Sequence, residues 1–539
     1  MLKIIYTTTL FTIITTFSFA QSLNMGRPIN TPSNERNPSV SGDGKYMILE
    51  TDYGAESFYP VMTTQVSYAW SRPKDVTGAF NRLTHDKDWA MNYSGDELFF
   101  SSTRHGGVGL SDIWYSKKQG DTWSTPINLA KPVNSTVAET NPCISPDDKR
   151  LYFVRSTGKK GPDGQDCGKI YYTEKTSGFW KAPVALSPVI NTGCECSPEI
   201  LNDNKTLIFK SIRPGGKGGF DLYKSVLQND GKWSIPVPLS FFNTEKDENS
   251  VSYYGKGAFF ITTGLSNGKD DIFKVKVPKE FQPLPFERLN SQIANAKSKK
   301  TVMCKVYITN EDNKEIASFY NNGPGGSLHQ IISGNEPLQL TAYPVRNGYF
   351  FKSLHITPGE NKVPAEILLT PVLSGEHVPI DGLSFTTTAD IARGAEELDK
   401  FVKVLKDNPE ASVEIAVYMA EVTQDSIPTP ELTELKIDTL ITTKIIKRPI
   451  VDSTAMESSI LDTMQIDTAA SIAYTNDTLT IVTLKKTYNN NRTQKEAAKV
   501  KAYLVSKGIA ASRITPVGYG DTKKNVPVED KKLVELIVQ

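Results

Sequence analysis

The chain has 539 residues, which at roughly 100 to 200 residues per domain predicts three or four domains and excludes a single-domain protein. Its 61 Lys and Arg residues balance 60 Asp and Glu residues, and a formal net charge of +1 gives no overall field that would attract nucleic acid or an anionic membrane surface. The 37 Gly and 32 Pro residues indicate a chain rich in turns and strands rather than a helical bundle.

Residues 1–20 have the pattern of a cleavable secretory signal. Lys3 precedes an apolar stretch, and the small residues Ser18 and Ala20 stand just before Gln21. An uncleaved membrane anchor is the alternative, but the apolar run is shorter than the roughly 20 residues that a membrane-spanning helix needs. No cysteine follows the predicted cleavage site to accept a lipid, and no later segment is apolar enough to cross a bilayer.

Export would place the five cysteines in a compartment where disulfides persist. They are Cys143, Cys167, Cys194, Cys196 and Cys304. The first four fall within one stretch of about fifty residues, which favours one or two local disulfides there and leaves Cys304 free. A zinc site is the alternative, but Cys194 and Cys196 are only two positions apart and the histidines are scattered. We therefore expect no metal and no cofactor.

A unit of about fifty residues repeats through the first half of the chain. An acidic residue followed by a short strand and a turn recurs at Glu35, Asp88, Glu139, Glu195 and Glu248. Each copy continues with an apolar strand, a glycine-rich turn, a third strand and a segment marked in most copies by Trp and Pro. Four short strands in a unit of this length predict the blade of a β-propeller, with five or six blades over residues 21–290.

These repeats resemble the TolB-like propeller repeats of bacterial envelope proteins. The resemblance rests on residues 139–142, 145–148, 213–216 and 221–223 and covers about residues 28 to 290. If the acids lie just ahead of the innermost strands, they are placed to ring one mouth of a central channel. The other interpretation is that each carboxylate accepts backbone N–H groups and ties neighbouring blades together.

The middle of the chain predicts a small β-sandwich over residues 300–375, after a linker at about 281–300. Short strands are expected at 302–308, 315–319, 339–342, 349–354 and 366–368. The run 337–353 resembles the carboxypeptidase-regulatory-like β-sandwich, which implies a spacer module without chemistry of its own.

Residues 378–539 predict a module in which strands and helices alternate. Its frame resembles the OmpA-like peptidoglycan-binding domain. The matching residues are Tyr488, Asn489, Val500, Tyr503, Leu504, Gly508, Ile509, Arg513, Gly518, Tyr519, Gly520, Val534, Glu535 and Leu536. The resemblance implies that an Asp and an Arg bind the diaminopimelate of the wall peptide, whose carboxylate and amine suit opposite charges.

Both of these positions depart from the family pattern. The Asp position falls at Ala420, beside Glu421, and the Arg position falls at Glu496. One interpretation keeps wall binding, with Glu421 replacing the Asp and Lys495, Lys531 or Lys532 replacing the Arg. In the other, the module keeps its fold and has lost its ligand. An insertion at about 422–487, rich in Thr, Ser and Asp, would either cover the cleft or form an interaction arm.

The order of signal, propeller, sandwich and OmpA-like module resembles a group of envelope proteins in bacteria that use type IX secretion, some of which carry helical repeats ahead of the propeller. The resemblance implies a non-enzymatic scaffold in the periplasm of a Gram-negative bacterium, at the outer membrane or cell wall. It would link peptidoglycan to an envelope protein docked on the propeller. Two alternatives remain: a module active only in protein–protein interaction, and a propeller that binds a small ligand or acts as a hydrolase.

Overall fold

A computed structural model describes residues 22–539 of the chain, with gaps at 68, 77–79, 81–85, 162–163, 165, 249–250, 256, 267–268, 322, 361, 387, 420–434, 450–473, 489–490 and 521–531. The chain divides into two units. The first comprises Met1–Gln292, Val306–Leu340 and Ser353–Glu366, and the second comprises Ile293–Lys305, Thr341–Lys352 and Ile367–Gln539. The predicted signal segment lies outside the described residues.

Antiparallel sheets dominate the first unit, and the described residues form five of them up to residue 276. Strand β1 (Ser22–Asn24) precedes the first sheet along the chain. Sheet 1 contains β2 (Glu35–Val40), β3 (Tyr46–Thr51), β4 (Tyr59–Val66), β5 (Ala69–Trp70) and β6 (Lys74–Asp75). Sheet 2 contains β7 (Asp86–Met91), β8 (Glu97–Ser102), β9 (Asp112–Gln119), β10 (Thr122–Trp123) and β11 (Ile127–Asn128). Sheet 3 contains β12 (Glu139–Ile144), β13 (Arg150–Lys160), β14 (Asp166–Thr176), β15 (Phe179–Trp180) and β16 (Val184–Ala185). Sheet 4 contains β17 (Glu195–Ile200), β18 (Thr206–Ser211), β19 (Asp221–Val226) and β20 (Val237–Pro238). Sheet 5 contains β21 (Val251–Gly255), β22 (Ala258–Ser266) and β23 (Lys269–Lys276).

The five sheets form a closed ring. Their first strands β2, β7, β12, β17 and β21 contact one another in chain order, and β21 also contacts β2. Strand β1 joins sheet 5 as its outermost strand, with Ser22 opposite Val275 on β23. The start of the repeat region thus completes its last sheet and closes the ring. This arrangement is a β-propeller, as the repeat predicted.

A separate apolar core fills each contact between neighbouring sheets. The second strand of each sheet is buried on both faces, and its side chains alternate between two cores. On β8, Leu98 and Phe100 pack toward sheet 1, whereas Phe99 packs toward sheet 3. Each fully buried side chain of this size contributes about 2 to 3 kcal/mol. The sequence of these strands is therefore a continuous apolar run rather than an alternation of apolar and polar residues.

A β-bulge interrupts the first strand of sheets 1 to 4. The bulge residues have positive φ angles of 51° at Asn37, 57° at Asp88, 49° at Asn141 and 47° at Ser197. Asn and Asp adopt this backbone region more readily than other residues that carry a Cβ. The assignment of Asp88 to the repeating acid is therefore wrong in register, because Asp86 begins β7 as Glu35 begins β2. Two acids two residues apart left the sequence ambiguous.

The segment after the propeller forms short strands. These are β24 (Phe286–Leu289), β25 (Gln292–Asn295), β26 (Cys304–Thr309), β27 (Glu315–Tyr320), β28 (Gln330–Ser333), β29 (Leu338–Pro344), β30 (Lys352–Ile356) and β31 (Glu366–Leu369). β24 pairs with β28, β25 pairs with β31, and the other four form a sheet in the order β27–β26–β29–β30. Each of the five predicted strands overlaps an observed strand. The predicted linker at 281–300 is wrong in part, because β24 and β25 lie within it.

The remainder of the second unit combines a sheet with two helices. Its elements are β32 (His377–Pro379), β33 (Ser384–Phe385), β34 (Ile391–Arg393), α1 (Ala395–Asp407), β35 (Val413–Met419), β36 (Leu435–Pro449), β37 (Tyr474–Tyr488), α2 (Asn491–Ser506), β38 (Ile514–Gly520) and β39 (Lys532–Val538). The sheet order is β32–β39–β35–β38, with β35 and β38 parallel and β39 antiparallel to β35. Neither helix is long and apolar enough to span a membrane.

Both helices pack on one face of this sheet. Leu398 and Phe401 of α1 and Val500 and Leu504 of α2 share one core with the inward residues of β35 and β39. The spacing of three and four residues places these side chains on one side of each helix. α1 ends at Asp407, just before Asn408 and Pro409, because proline disfavours helical backbone at the residue before it.

The insertion contains a long two-stranded antiparallel ribbon. β36 and β37 have 15 residues each and pair from Leu435 opposite Tyr488 to Pro449 opposite Tyr474. The predicted insertion at 422–487 is therefore built around paired strands. The two predicted roles, cleft cover and interaction arm, stay predictions.

Candidate interaction sites

The acids that begin the first strands are buried and hydrogen-bonded locally. Glu35, Glu139 and Glu195 have no solvent-exposed surface. Each of these acids, and Glu248, accepts a backbone N–H and a hydroxyl from the preceding connection; the donors are Thr31, Ser135, Thr192 and Thr244. Such carboxylates fix the passage from one sheet to the next. These are the contacts expected if the carboxylates tie the blades together.

Arginines at the end of the second strand complete three of these contacts. Arg104 pairs with Asp86, Arg155 with Glu139 at 2.7 Å, and Arg213 with Glu195 at 3.4 Å. The guanidinium groups of Arg155 and Arg213 also lie 4.8 Å from the centres of aromatic rings on the same sheets. Sequence analysis missed these cations, although Arg104 and Arg213 occupy the same position in their copies and Arg155 stands two residues earlier in its copy.

A small cavity occupies the centre of the ring. Its volume is about 50 Å³, and it is lined by the bulge residues of sheets 1 to 4 together with Glu199 and Val251. Of the five predicted acids, Asp88 is the one that lines it. A space of this size holds water or a single ion, whereas small-molecule sites usually measure about 300 to 1,000 Å³.

Glu199 carries the most perturbed carboxyl group of this cavity. Burial raises its pKa to about 7, although hydrogen bonds from the Tyr253 N–H, the Cys143 thiol and the Ser252 hydroxyl lower it. The Tyr253 nitrogen and Ser252 Oγ lie 3.3 and 3.4 Å from Glu199 Oε1. These contacts link the first strands of sheets 3, 4 and 5 around the central cavity.

One end of the ring is crossed by its own turns. We call this the turn end, because the turns between the first and second strands of each sheet lie there. Asn202 in the turn of sheet 4 donates its side-chain N–H to the carbonyl of Gly42 in the turn of sheet 1 over 3.3 Å. Asn204 donates to Asp147 in the turn of sheet 3 over 3.1 Å. Since sheets 1 and 4 are not neighbours in the ring, the first of these bonds runs across the central axis.

The following segment of the first unit then covers the turn end. The fully buried carboxylate of Asp203 accepts the N–H of Leu284 at 2.8 Å. Arg288 on β24 donates to the carbonyl of Pro146 at 2.9 Å, and its guanidinium lies 3.8 Å from the centre of the Tyr93 ring. Lys149 and Lys205, in the turns of sheets 3 and 4, donate to Gln330 and Ser333 on β28. Strands β24 and β28 are thus fixed to the turns of sheets 2, 3 and 4.

The opposite end of the ring carries longer loops, and we call it the loop end. Four apolar side chains of these loops are exposed, namely those of Tyr53, Leu110, Val137 and Ile212. An open groove of about 510 Å³ lies at the same end, between sheets 1 and 5, and is lined by polar residues that include Asp52, Glu56 and Lys269. Both features are accessible to a macromolecule.

The predicted wall-binding position on α2 is a closed cluster of charges. Glu496 is fully buried, and its Oε1 accepts from Arg492 Nε at 3.0 Å and from Lys532 Nζ at 2.5 Å. The side chains of Arg492 and Lys532 are 7% and 12% exposed. Arg492 also donates to the carbonyl of Thr386 over 2.6 Å. We call these three charged residues the Glu496 cluster.

The other predicted wall-binding residues are only partly described. Lys532 donates a hydrogen bond to Glu496, and Lys495 is exposed. Tyr488 ends β37, while Glu421, Asn489 and Lys531 lie outside the described residues. Sequence analysis missed Arg492, although it precedes Glu496 by four residues on one helix and that spacing brings opposite charges together. Gly518 lets β38 approach α2, because a Cβ there would lie 2.1 Å from the Gln494 nitrogen.

A disulfide joins Cys167 on β14 to Cys194 just before β17. It therefore links sheet 3 to sheet 4. Cys143, Cys196 and Cys304 do not take part in a disulfide. One local disulfide among the first four cysteines agrees with the expectation from cysteine spacing. Among the described residues, no three His, Cys, Asp or Glu side chains are grouped as metal ligands.

Comparison with protein-family models found no match, and comparison with curated proteins found none either. Among solved structures, the chain is similar to TolB from Acinetobacter baumannii, with 12% identity over 46% of this chain and 56% of that one and a TM-score of 0.28. It is also similar to a MotB like protein from Desulfovibrio vulgaris, with 14% identity over 30% and 73% of the two chains and a TM-score of 0.17. An oligogalacturonate lyase in complex with manganese matches at 7% identity over 48% and 94%, with a TM-score of 0.28. These likenesses are too distant to transfer a function.

Proposed function

We propose that the protein is a non-enzymatic scaffold of the bacterial cell envelope. It would combine a five-bladed TolB-like propeller, a sandwich spacer and an OmpA-like module, and would act in the periplasm. An envelope protein would dock on the loop end of the propeller. The observation that carries this proposal is the covering of the turn end by β24 and β28, which leaves the loop end as the face for a partner.

The C-terminal module would act through contacts with other proteins rather than by binding the wall peptide. A carboxylate at position 496 cannot donate to the carboxylate of a peptide stem as a guanidinium would, and the cations Arg492 and Lys532 are already bound to it. Freeing either cation would break one of the two buried ion pairs of Glu496, which is unfavourable because these charges are poorly solvated where they lie. The paired strands β36 and β37 offer an extended edge for such contacts.

The docking proposal can be tested by photo-crosslinking in the native envelope. A crosslinking amino acid is placed at Leu110, which is 70% exposed at the loop end, and separately at Ile235, which is 80% exposed near the turn end. We expect one discrete protein adduct from position 110, lost when Tyr53→Asp is added, and no adduct from position 235. Adducts from position 235 alone, or adducts at 110 that Tyr53→Asp leaves unchanged, would contradict the proposal.

A further inference from the structure

Among the contacts between described sheets, the one between sheets 4 and 5 is distinguished by buried carboxylate oxygens without a hydrogen-bond partner. Glu248 lies just before β21 of sheet 5, Glu139 begins β12 of sheet 3, and Asp221 begins β19 as Asp112 begins β9. The two carboxyl groups of Asp221 and Glu248 lie within hydrogen-bond reach of each other. Both side chains are nearly fully buried. One oxygen of each, Oδ1 of Asp221 and Oε2 of Glu248, is buried without a hydrogen-bond partner.

Asp86, Glu139 and Glu195 each pair with an arginine, whereas the corresponding sequence positions of sheets 1 and 5 hold no arginine. Arg104 and Arg213 stand two residues beyond Ser102 and Ser211, which face the first residues of β9 and β19. Thr263 faces Asp271 in the same register on sheet 5, so the corresponding position is Leu265. Thr263–Ser266 has no ionisable residue. The contact therefore has two acids and lacks the cation that pairs with Asp86, Glu139 and Glu195. Glu35 lacks this cation as well, but both of its carboxylate oxygens accept hydrogen bonds from Thr31.

The equivalent aspartates are also better satisfied than Asp221. Asp112 accepts from the side chain of Asn128 at 2.8 Å, and Asp271 accepts from Asn24 at 2.9 Å. Asp221 accepts only through Oδ2, from the N–H groups of Lys217 and Gly218 at 2.8 and 3.1 Å. The free oxygen of Asp221 is thus left facing Glu248, and two ionised oxygens at this depth would repel each other.

The described charged groups around the pair are engaged elsewhere. Arg213 binds Glu195, and the Lys217 ammonium donates to the carbonyl of Ser240 at 3.0 Å. Asp247 accepts the N–H of Phe220 at 2.6 Å. The N–H and hydroxyl of Thr244 both donate to Oε1 of Glu248, so Oε2 has no hydrogen-bond donor. A hydrogen ion between the two carboxyl groups satisfies both free oxygens at once.

We propose that Asp221 and Glu248 share one proton and form a pH-sensitive latch between sheets 4 and 5. With the proton in place, one carboxyl group donates to the other and the contact is closed. Loss of the proton leaves two buried carboxylates face to face and loosens sheet 5, which is the sheet that β1 completes.

The direction of the pH effect follows from the Glu248 carboxyl group. Burial, with further contributions from Asp221, raises the pKa of Glu248 from 4.5 to about 7, although its bonds with Thr244 lower it. The folded protein then holds this proton more tightly than the unfolded chain. Its contribution to stability is complete below about pH 4.5, falls as the pH rises, and is lost above about pH 7.

The test compares the full chain with Asp221→Asn and Glu248→Gln at pH 5.5 and pH 8. Each variant replaces one carboxyl group by an amide that donates without a proton from solution. We expect both variants to melt roughly 5 °C above wild type at pH 8 and to lose this advantage at pH 5.5. Infrared spectra of the wild type at pH 5.5 should show a protonated carboxyl component in addition to that of Glu199, and both variants should lack this additional component.

The control is Glu139→Gln, which leaves Arg155 without its carboxylate and should lower the melting temperature at pH 8. If Asp221→Asn and Glu248→Gln instead melt lower at pH 8, or fail to fold, the shared proton is refuted. If calcium ions raise the melting temperature of wild type but not of the variants at pH 8, a metal ion neutralises the pair and the proposal is likewise overturned.

Discussion

Arg492 and Glu496 lie one helical turn apart on α2, and Arg492 Nε donates to the Glu496 carboxylate over 3.0 Å. Neither side chain has appreciable contact with solvent. Such a buried pair is costly to break, because the partner that remains keeps its charge in a medium that solvates it poorly. The proposed role of the C-terminal module through protein contacts therefore depends on this pair.

Removal of Arg492 should therefore destabilise the second unit. In Arg492→Met, Glu496 keeps Lys532 as its one ionic partner, and we expect the free energy of unfolding to fall by about 3 kcal/mol. Urea unfolding of the full chain, followed by hydrogen exchange of β35 and β39, measures the change. Lys499→Met on the same helix breaks an exposed pair with Asp390 and should cost less than about 1 kcal/mol. Equal losses in both variants would contradict the burial of the Glu496 cluster.

The acids at the starts of the first strands should increase the free energy of unfolding. Glu139→Gln weakens a fully buried contact with Ser135 and Arg155, and we expect a loss of roughly 2 kcal/mol in unfolding free energy. Glu174→Gln affects the half-exposed pair with Arg150 and should change stability by less than about 1 kcal/mol. Thermal denaturation compares them. A Glu139→Gln variant with wild-type stability and altered affinity for divalent ions would instead support a ring of acids around a channel.

Reduction of the disulfide should weaken the contact between sheets 3 and 4. Cys167 and Cys194 are 27 residues apart, and a closed loop of this size stabilises a protein by about 3 kcal/mol. A thiol reductant should therefore lower the melting temperature of wild type. The double variant Cys167→Ser, Cys194→Ser should melt lower without reductant and show no further change when it is added. A reductant effect of equal size in the double variant would refute this role.

The covering of the turn end should be visible in hydrogen exchange. Arg288→Gln removes the charge that stacks on Tyr93 and binds Pro146, so the amides of β24 should exchange faster. Those of β8 and β13, inside the ring, should be unchanged. Arg393→Gln on the exposed strand β34 is the control. If β24 exchanges at the wild-type rate in Arg288→Gln, the contacts of Arg288 do not hold the cover in place.

The repeating sheets could be predicted because their signals are local. Apolar runs such as that around Phe99 are separated by polar turns and recur at one spacing. They predict strands even when the neighbouring strands are not known. The register of the first strands was harder to predict. Asp86 and Asp88 are both acidic and flank one residue, and only the bulge with its positive φ at Asp88 separates their roles.

The cover of the turn end and the charge cluster could not be predicted in the same way. β24 and β25 are four residues long and pair with β28 and β31, which lie far along the chain. Lys532 was expected to meet a ligand, but it binds Glu496, which is 36 residues away. Sequence shows which charges are present, whereas tertiary packing decides which of them face each other. Only the spacing of Arg492 and Glu496 was a local clue.

The most direct test of the account is co-sedimentation of the full chain with purified sacculi. Wild type is compared with the charge swap Arg492→Glu, Glu496→Arg, which keeps the pair on α2 and restores a guanidinium at position 496. An independent wall-binding protein serves as the positive control. The account predicts that wild type stays in the supernatant, as it does without sacculi. If wild type pellets with sacculi and is released by soluble peptidoglycan fragments, the module binds the wall and the proposed role through protein contacts is wrong.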